Sequence, residues 1–161
     1  MHCLIRNFAQ PDLEHVRALN EDVVPAVNSL NIDQVSWFAE HAIYFKVAEI
    51  KGQFSGFLIG LRAGLDYDSP NYQYFRQRHS DFAYVDRVAV AGHARRSGLA
   101  SRLYEDFGRT LHGKVDRMAC EVNIEPPNEA SMRFHERMGF KQVGVSGAGA
   151  KQVAYLEKLL D

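Results

Sequence analysis

Residues 88–107 read VAVAGHARRSGLASRLYEDF. A short apolar run ends at Val90, a polar turn follows, and a helical stripe begins at Leu99. Leu99, Leu103 and Phe107 recur at i, i+4 and i+8, with Ala100, Tyr104 and Leu111 beside them. The turn between strand and helix holds His93, Arg95, Arg96, Ser97 and Gly98 and almost nothing apolar. A connection that only joins two core elements needs neither adjacent arginines nor a glycine where a helix begins. The first turn of any helix leaves backbone N–H groups unpaired, and the helix dipole adds partial positive charge there. Small residues at Gly98 and Ala100 leave room for a ligand to approach that backbone, and the arginines add donors at the rim. Together these fit a diphosphate cradle. The alternative is a helix start that uses glycine only to turn, and spacing alone leaves both readings open. A P-loop is excluded, because no Lys-Ser/Thr pair follows the glycine in register. The glycine spacing also departs from that of a dinucleotide-binding loop.

Upstream, CLIRNF (3–8) has the apolar content of a first strand. PDLEHVRALNEDVV (11–24) reads as a helix with proline at its start and Leu13, Val16 and Leu19 at helical spacing. NIDQVSWFAEHA (31–42) reads as a second helix with Asn31 as its N-cap. IYFKVAEI and FSGFLIGL form an antiparallel hairpin through Lys51, Gly52 and Gln53. From Arg62 to Asp81 the periodicity breaks. This tyrosine-rich stretch reads as a long loop, either a binding loop or a solvated insertion. FAYVDRVAV (82–90) is a strand rich in β-branched and aromatic residues. Downstream, DRMACEV (116–122) is a strand, Asn128 to Met138 a helix closed by Gly139, and FKQVGVS and QVAYLEKLL two strands around a Gly-rich turn. Helices interleaved among the later strands imply an α/β fold with a mixed sheet.

The chain has 161 residues, one domain's worth, and no internal repeat. At 46% hydrophobic and 24% charged it belongs to the globular class. A formal net charge of −1 argues against a bulk basic footprint for nucleic acid. No stretch is apolar for long enough to span a bilayer, and MHCLIRNFAQ lacks the apolar core of a signal peptide. Cys3 and Cys120 cannot make a disulfide framework and suit buried free thiols. A cytoplasmic protein is expected.

The run Arg95-Arg96-Ser97-Gly98-Leu99-Ala100 resembles the Arg/Gln-x-x-Gly-x-Gly/Ala signature of the GNAT (GCN5-related N-acetyltransferase) superfamily. The strand VAV ahead of it and NEASMRFHERMGF (128–140) behind it match two further landmarks in order and spacing. ALNEDVVPAV and YVDRVAV also resemble a bacterial subgroup of predicted acetyltransferases. The likeness covers about Phe82 to Phe140 closely. It implies a single domain over 1–161: a mostly antiparallel central sheet with a splayed parallel strand pair, flanked by about four helices. It further implies an acetyl-CoA-dependent N-acetyltransferase, with direct attack by a primary amine in a ternary complex. The amine could belong to a small molecule, an amino acid or a peptide. The competing reading is a non-catalytic acyl-CoA-binding or sensing module.

By that resemblance, acetyl-CoA lies where the strand ending at Val90 splays from the strand containing Glu121. Backbone groups of Val88, Ala89 and Val90 pair with the pantetheine arm, and the amides from Arg96 to Ser101 hold the diphosphate. An N–H near Val88 polarises the thioester carbonyl. Asn128 meets the cofactor arm or orients its helix. An ammonium acceptor needs a base, and the departing thiolate benefits from an acid. Glu121 is the first candidate for the base, at a strand position that carries a catalytic glutamate in the family's protein N-terminal-alanine acetyltransferases. A carboxylate interrupting an apolar strand also calls for its own explanation, and a sheet-edge ion pair is the alternative. Asp86 is the second candidate, its alternative being a salt bridge involving Arg87. Where the family usually places the tyrosine that acts as the acid, four residues before Gly139, this chain has His135, a candidate to contact the cofactor and protonate its thiolate, its alternative being a capping or packing residue. Tyr84 and Tyr104 are other donors. Asp66, Tyr67, Tyr72 and Tyr84, with Trp37, are candidates for an acidic, aromatic-walled acceptor mouth. No metal is called for, Cys120 reads as packing, and a homodimer fits the superfamily's habit.

Overall fold

The structure is a computed structural model that describes residues 2–147 and 151–160. Among these, seven strands and five helices follow in the order β1 (Cys3–Asn7), α1 (Leu13–Val23), α2 (Ile32–His41), β2 (Tyr44–Ile50), β3 (Gln53–Arg62), α3 (Pro70–Arg76), β4 (Ala83–Val90), α4 (Leu99–Thr110), β5 (Arg117–Glu125), α5 (Glu129–Arg137), β6 (Lys141–Val145) and β7 (Gln152–Leu159). The strands hydrogen-bond in the order β1-β2-β3-β4-β5-β7-β6. β1·β2, β2·β3, β5·β7 and β6·β7 are antiparallel, and β4·β5 is parallel, with Ala83 opposite Met118 and Tyr84 opposite Ala119. This is the mixed, mostly antiparallel α/β sheet expected. The count of about four helices is one short, because α3 occupies the stretch read as a loop. The Gly-rich turn at 148–150 lies outside the described residues. Among the described residues, no helix is long and apolar enough to cross a membrane.

The chain divides into two compact units, Met1–Leu61 with Val85–Thr110, and Arg62–Tyr84 with Leu111–Asp161. In the first, local signals set each element. Proline 11 falls in a short 3-10 turn, Gln10–Asp12, that leads into α1. Asn31 caps α2 reciprocally: its Oδ1 accepts from Gln34 N–H (2.8 Å) while Gln34 Oε1 accepts from Asn31 N–H (2.8 Å). The β2–β3 hairpin turns on Lys51 (φ 53) and Gly52 (φ 77), a two-residue loop with both residues left-handed, as right-twisted strands favour. Helix α4 buries Leu99, Leu103, Tyr104 and Phe107. Phe107 lies flat against β3 at Gly60, where an added Cβ would fall 2.7 Å from Phe107 Cε1.

In the second unit, α3 starts because Ser69 Oγ accepts from Tyr72 N–H (3.2 Å) and Pro70 fills the first position, where no N–H is needed. It buries Tyr72 and Phe75 completely, each burial stabilising by about 1.5–3 kcal/mol. Tyr74 stacks on Tyr155 of β7 at 3.7 Å and 13°. Its ring end fills the space at Gly144 of β6, where a Cβ would come 3.0 Å from Tyr74 Cζ. Helix α5 is capped by Asn128, whose Oδ1 accepts from Ser131 N–H (3.2 Å), and closes on Gly139 (φ 97).

Candidate active site

The segment from Val88 to Ser101 lies within the first unit. Ala91 N–H donates to Ser55 O (2.9 Å), and a single 3-10 turn over Gly92–Ala94 follows. The backbone then passes through left-handed conformations at Arg96 (φ 64) and Gly98 (φ 80). For arginine that costs about 1–2 kcal/mol. Successive N–H groups turned this way form an anion-binding concavity. Arg102 N–H donates to Gly98 O (3.1 Å) and begins the helical ladder of α4; the N–H groups ahead of it belong to a first turn, which has no intrahelical carbonyl to bond. A Cβ at Gly98 would meet nothing within 4 Å. Glycine is therefore set here by φ, and the ground in front of it is clear. A diphosphate fits these residues.

Each cradle candidate has its own means of contact. Arg95 and Arg96 are exposed, and Val88, Val90, Ala100 and Ser101 are half-buried. Leu99 is buried, so its side chain belongs to the core and only its backbone is left to meet a ligand. Ala89 is also buried. Ser97 Oγ donates to Ala94 O at 2.5 Å. Its proton is committed, which leaves its amide and lone pairs.

The two candidate carboxylates differ in setting. Tyr84, 1% exposed, donates its hydroxyl to Glu121 Oε1 at 2.5 Å within the second unit. Glu121 lies opposite Tyr155 in the β5·β7 register, so both side chains share one face of that ladder. Tyr155 in turn donates to Asn71 Oδ1 of α3 (2.9 Å). Asp86 belongs to the first unit. Its Oδ2 accepts from Arg87 Nε at 2.8 Å, with both side chains under 10% exposed. The same guanidinium donates to Asn20 Oδ1 (3.0 Å) and Asn28 O (2.8 Å), and Asn20 Nδ2 donates to Asn28 O (2.9 Å). Asp86 thus anchors an arginine that ties the 24–31 segment to β4, the ion pair that was its alternative reading.

His135 is buried in α5 between the edges of Phe134 and Phe140. Its Nδ1 lies 2.7 Å from Ser131 O. A carbonyl can only accept, so that nitrogen carries a hydrogen. Burial pushes the His135 pKa below its ordinary value, and the ring is neutral near pH 7. Asn128 is the N-cap of the same helix, in keeping with the orienting role. Burial drives the Cys120 thiol well up, with the Glu121 charge adding to it, and thiolate is the nucleophilic form. Cys3, expected to be buried, is half-buried.

The acceptor-mouth candidates separate. Tyr72 is wholly buried, its hydroxyl donating to Arg62 O (2.8 Å) and accepting from Leu65 N–H (3.1 Å). It is a core post beneath the 62–69 segment rather than an exposed wall. Tyr67 is half-buried with its ring edge-on to Tyr72, and Asp66 is exposed. Trp37, in the first unit, stacks on His41 at 4.5 Å. Tyr155 and Asn71 escaped the sequence reading. The signal was present in Ser69-Pro70, an N-cap with proline behind it, followed by Tyr72 and Phe75 at helical spacing.

The sequence model of the Acetyltransferase (GNAT) family matches residues 13–140, and the chain belongs to that family. It is an acetyl-CoA-dependent acyltransferase. No curated protein matches it significantly in sequence. Solved structures share its fold. The Ard1 protein of Thermoplasma volcanium is 18% identical over 99% of each chain, with a TM-score of 0.79. An N-acetyltransferase of Staphylococcus aureus Mu50 is 23% identical over 100% of each chain, with a TM-score of 0.73. Naa50 of Arabidopsis thaliana, in complex with the bisubstrate analogue CoA-Ac-MVNAL, is 13% identical over 98% of this chain and 99% of its own, with a TM-score of 0.73.

Proposed function

We propose that the chain is a cytoplasmic N-acetyltransferase acting as one domain over 1–161, with a primary amine of a small molecule, amino acid or peptide as acceptor. The family match runs from residue 13 to 140 and so draws on both compact units, which supports the single-domain reading. The amides from Arg96 to Ser101 hold the diphosphate, with Arg95 and Arg96 at the rim. Val88, Ala89 and Val90 offer strand-edge backbone to the pantetheine arm. Bound acetyl-CoA supplies the activated acetyl group.

Glu121 is the base that takes a proton from the acceptor nitrogen. The observation that carries this is the 2.5 Å hydrogen bond from Tyr84, which fixes the carboxylate in an aromatic setting on β5. Tyr84, rather than His135, is the group that holds an exchangeable proton at the base. With Nδ1 committed to Ser131 and burial keeping the ring neutral, His135 fixes α5. A Cys120 thiol held protonated beside Glu121 favours direct attack over an acyl-cysteine route. The analogue bound to the Arabidopsis neighbour joins CoA to a peptide-like moiety, which supports a peptide amine among the acceptors.

Free-thiol release from acetyl-CoA across a panel of amines tests the reading. Release is expected with at least one amine, and Glu121→Gln should lower its rate by about 10²–10⁴. CoA binding without turnover on any amine would show a sensing module instead. Full activity in Glu121→Gln would remove Glu121 from the chemistry.

A further inference from the structure

Ser55 of β3 ties the cradle to the interior of its unit through both its hydroxyl and its carbonyl. Ser55 is fully buried. Its hydroxyl donates to Gln53 O at 2.8 Å, and His93 Nε2 lies 3.1 Å from the same oxygen. A serine hydroxyl has one proton. With that proton on Gln53, the ring nitrogen supplies the hydrogen, and Ser55 accepts from His93 Nε2–H. The Ser55 carbonyl accepts from Ala91 N–H at 2.9 Å. From there the bonds run on: Ala94 N–H to Ala91 O (2.9 Å), then Ser97 Oγ to Ala94 O (2.5 Å), one residue before Gly98. The neighbouring Gly56 presses on the same region, since a Cβ there would come 2.8 Å from Ala89 O and 3.1 Å from Leu99 Cδ2.

We propose that Ser55 and His93 are positioning residues for cofactor binding: they pin both flanks of the 91–94 turn and so set the direction of the amides that face the diphosphate. Neither residue touches the reacting atoms. The inference rests on reading residues 96–101 as the diphosphate holder. His93 is exposed and Ser55→Ala removes only a hydroxyl, so the variants keep the core intact.

The test measures binding of two probes by calorimetry, CoA and pantetheine, which lacks the diphosphate. Wild type should prefer CoA. Ser55→Ala and His93→Leu should weaken CoA roughly three- to tenfold, the loss of one hydrogen bond, and leave pantetheine unchanged. His93→Gln, whose Nε2 can donate as the imidazole does, should restore CoA affinity. Wild-type CoA affinity in both Ser55→Ala and His93→Leu overturns the inference. So does an equal loss for both probes, which marks a general structural role. If wild type itself shows no preference for CoA over pantetheine, the cradle reading falls and takes the inference with it.

Discussion

Gly98→Ala separates the backbone cost of the cradle from its function. At φ 80 an L-residue is strained, and the left-handed conformation costs about 1–2 kcal/mol. No steric term adds to this in the free protein, because a Cβ at Gly98 meets nothing within 4 Å. For a chain of this size that is a Tm lower by roughly 2–8 °C. The same Cβ would stand in front of the amides assigned to the diphosphate. CoA affinity should therefore fall at least about tenfold, or 1.4 kcal/mol, beyond any effect of stability. Gly113→Ala is the matched control, with φ 76 and open space around its Cβ. It should lower Tm similarly and leave CoA binding alone. Melts of both variants and calorimetric titration with CoA settle the point. A Gly98→Ala protein that melts lower yet binds CoA as wild type does would refute the cradle, whatever its activity.

The two carboxylates should respond oppositely. Asp86→Asn breaks a buried ion pair and should destabilise by about 3–5 kcal/mol in denaturant titrations, whereas Glu121→Gln, which still accepts from Tyr84, should melt near wild type while losing turnover. His135 has its folded pKa depressed, so below about pH 6.5 the unfolded chain binds a proton that the folded chain refuses, and stability drops as pH falls. His135→Phe should flatten that decline between pH 7.5 and 5.5, and parallel melting curves for the two proteins would count against it. Gly60→Ala forces a Cβ to within 2.7 Å of Phe107 Cε1 and should cost about 1–3 kcal/mol of overpacking, read as a lower Tm. In native protein, iodoacetamide should label Cys3 ahead of the buried Cys120; equal labelling would contradict the thiol's burial.

What could be read from the chain alone followed the range of the interactions involved. Residues 88–107 encode their structure locally: a β-branched run, a left-handed glycine, then an apolar stripe. The Asn31 cap, the Lys51-Gly52 turn and the Gly139 stop are equally local, and each appears where the sequence placed it. Helix α3 was missed because a break in periodicity outweighed a cap signal only two residues long, and its stability comes from partners far along the chain. Tyr74 needs Tyr155, 81 residues later, and the room left by Gly144. The tyrosines of 62–81 looked like a ligand wall for the same reason. Nothing near Tyr72 in sequence announces that its hydroxyl bonds the Arg62 carbonyl and its ring meets Phe82 and Tyr84 edge-on. Glu121 ranks ahead of Asp86 in the sequence only through the family resemblance, since the physical difference lies in Asn20, Asn28 and Tyr84, residues brought to them by folding.

That difference bears on which carboxylate can cycle. A general base must gain a proton and lose it in every turnover. If Asp86 did so, the buried Arg87 guanidinium would be left without its counter-charge each time, and removing one partner of a buried pair is strongly destabilising. Arg87 also holds Asn20 and the Asn28 carbonyl, so the 24–31 segment would loosen in step with the chemistry. Glu121 has a neutral donor. The Tyr84 hydroxyl can turn from donor to acceptor as the carboxylate becomes a carboxylic acid. A site that must change charge repeatedly is better served by a phenol than by a guanidinium, which favours Glu121 over Asp86 as the proposed base.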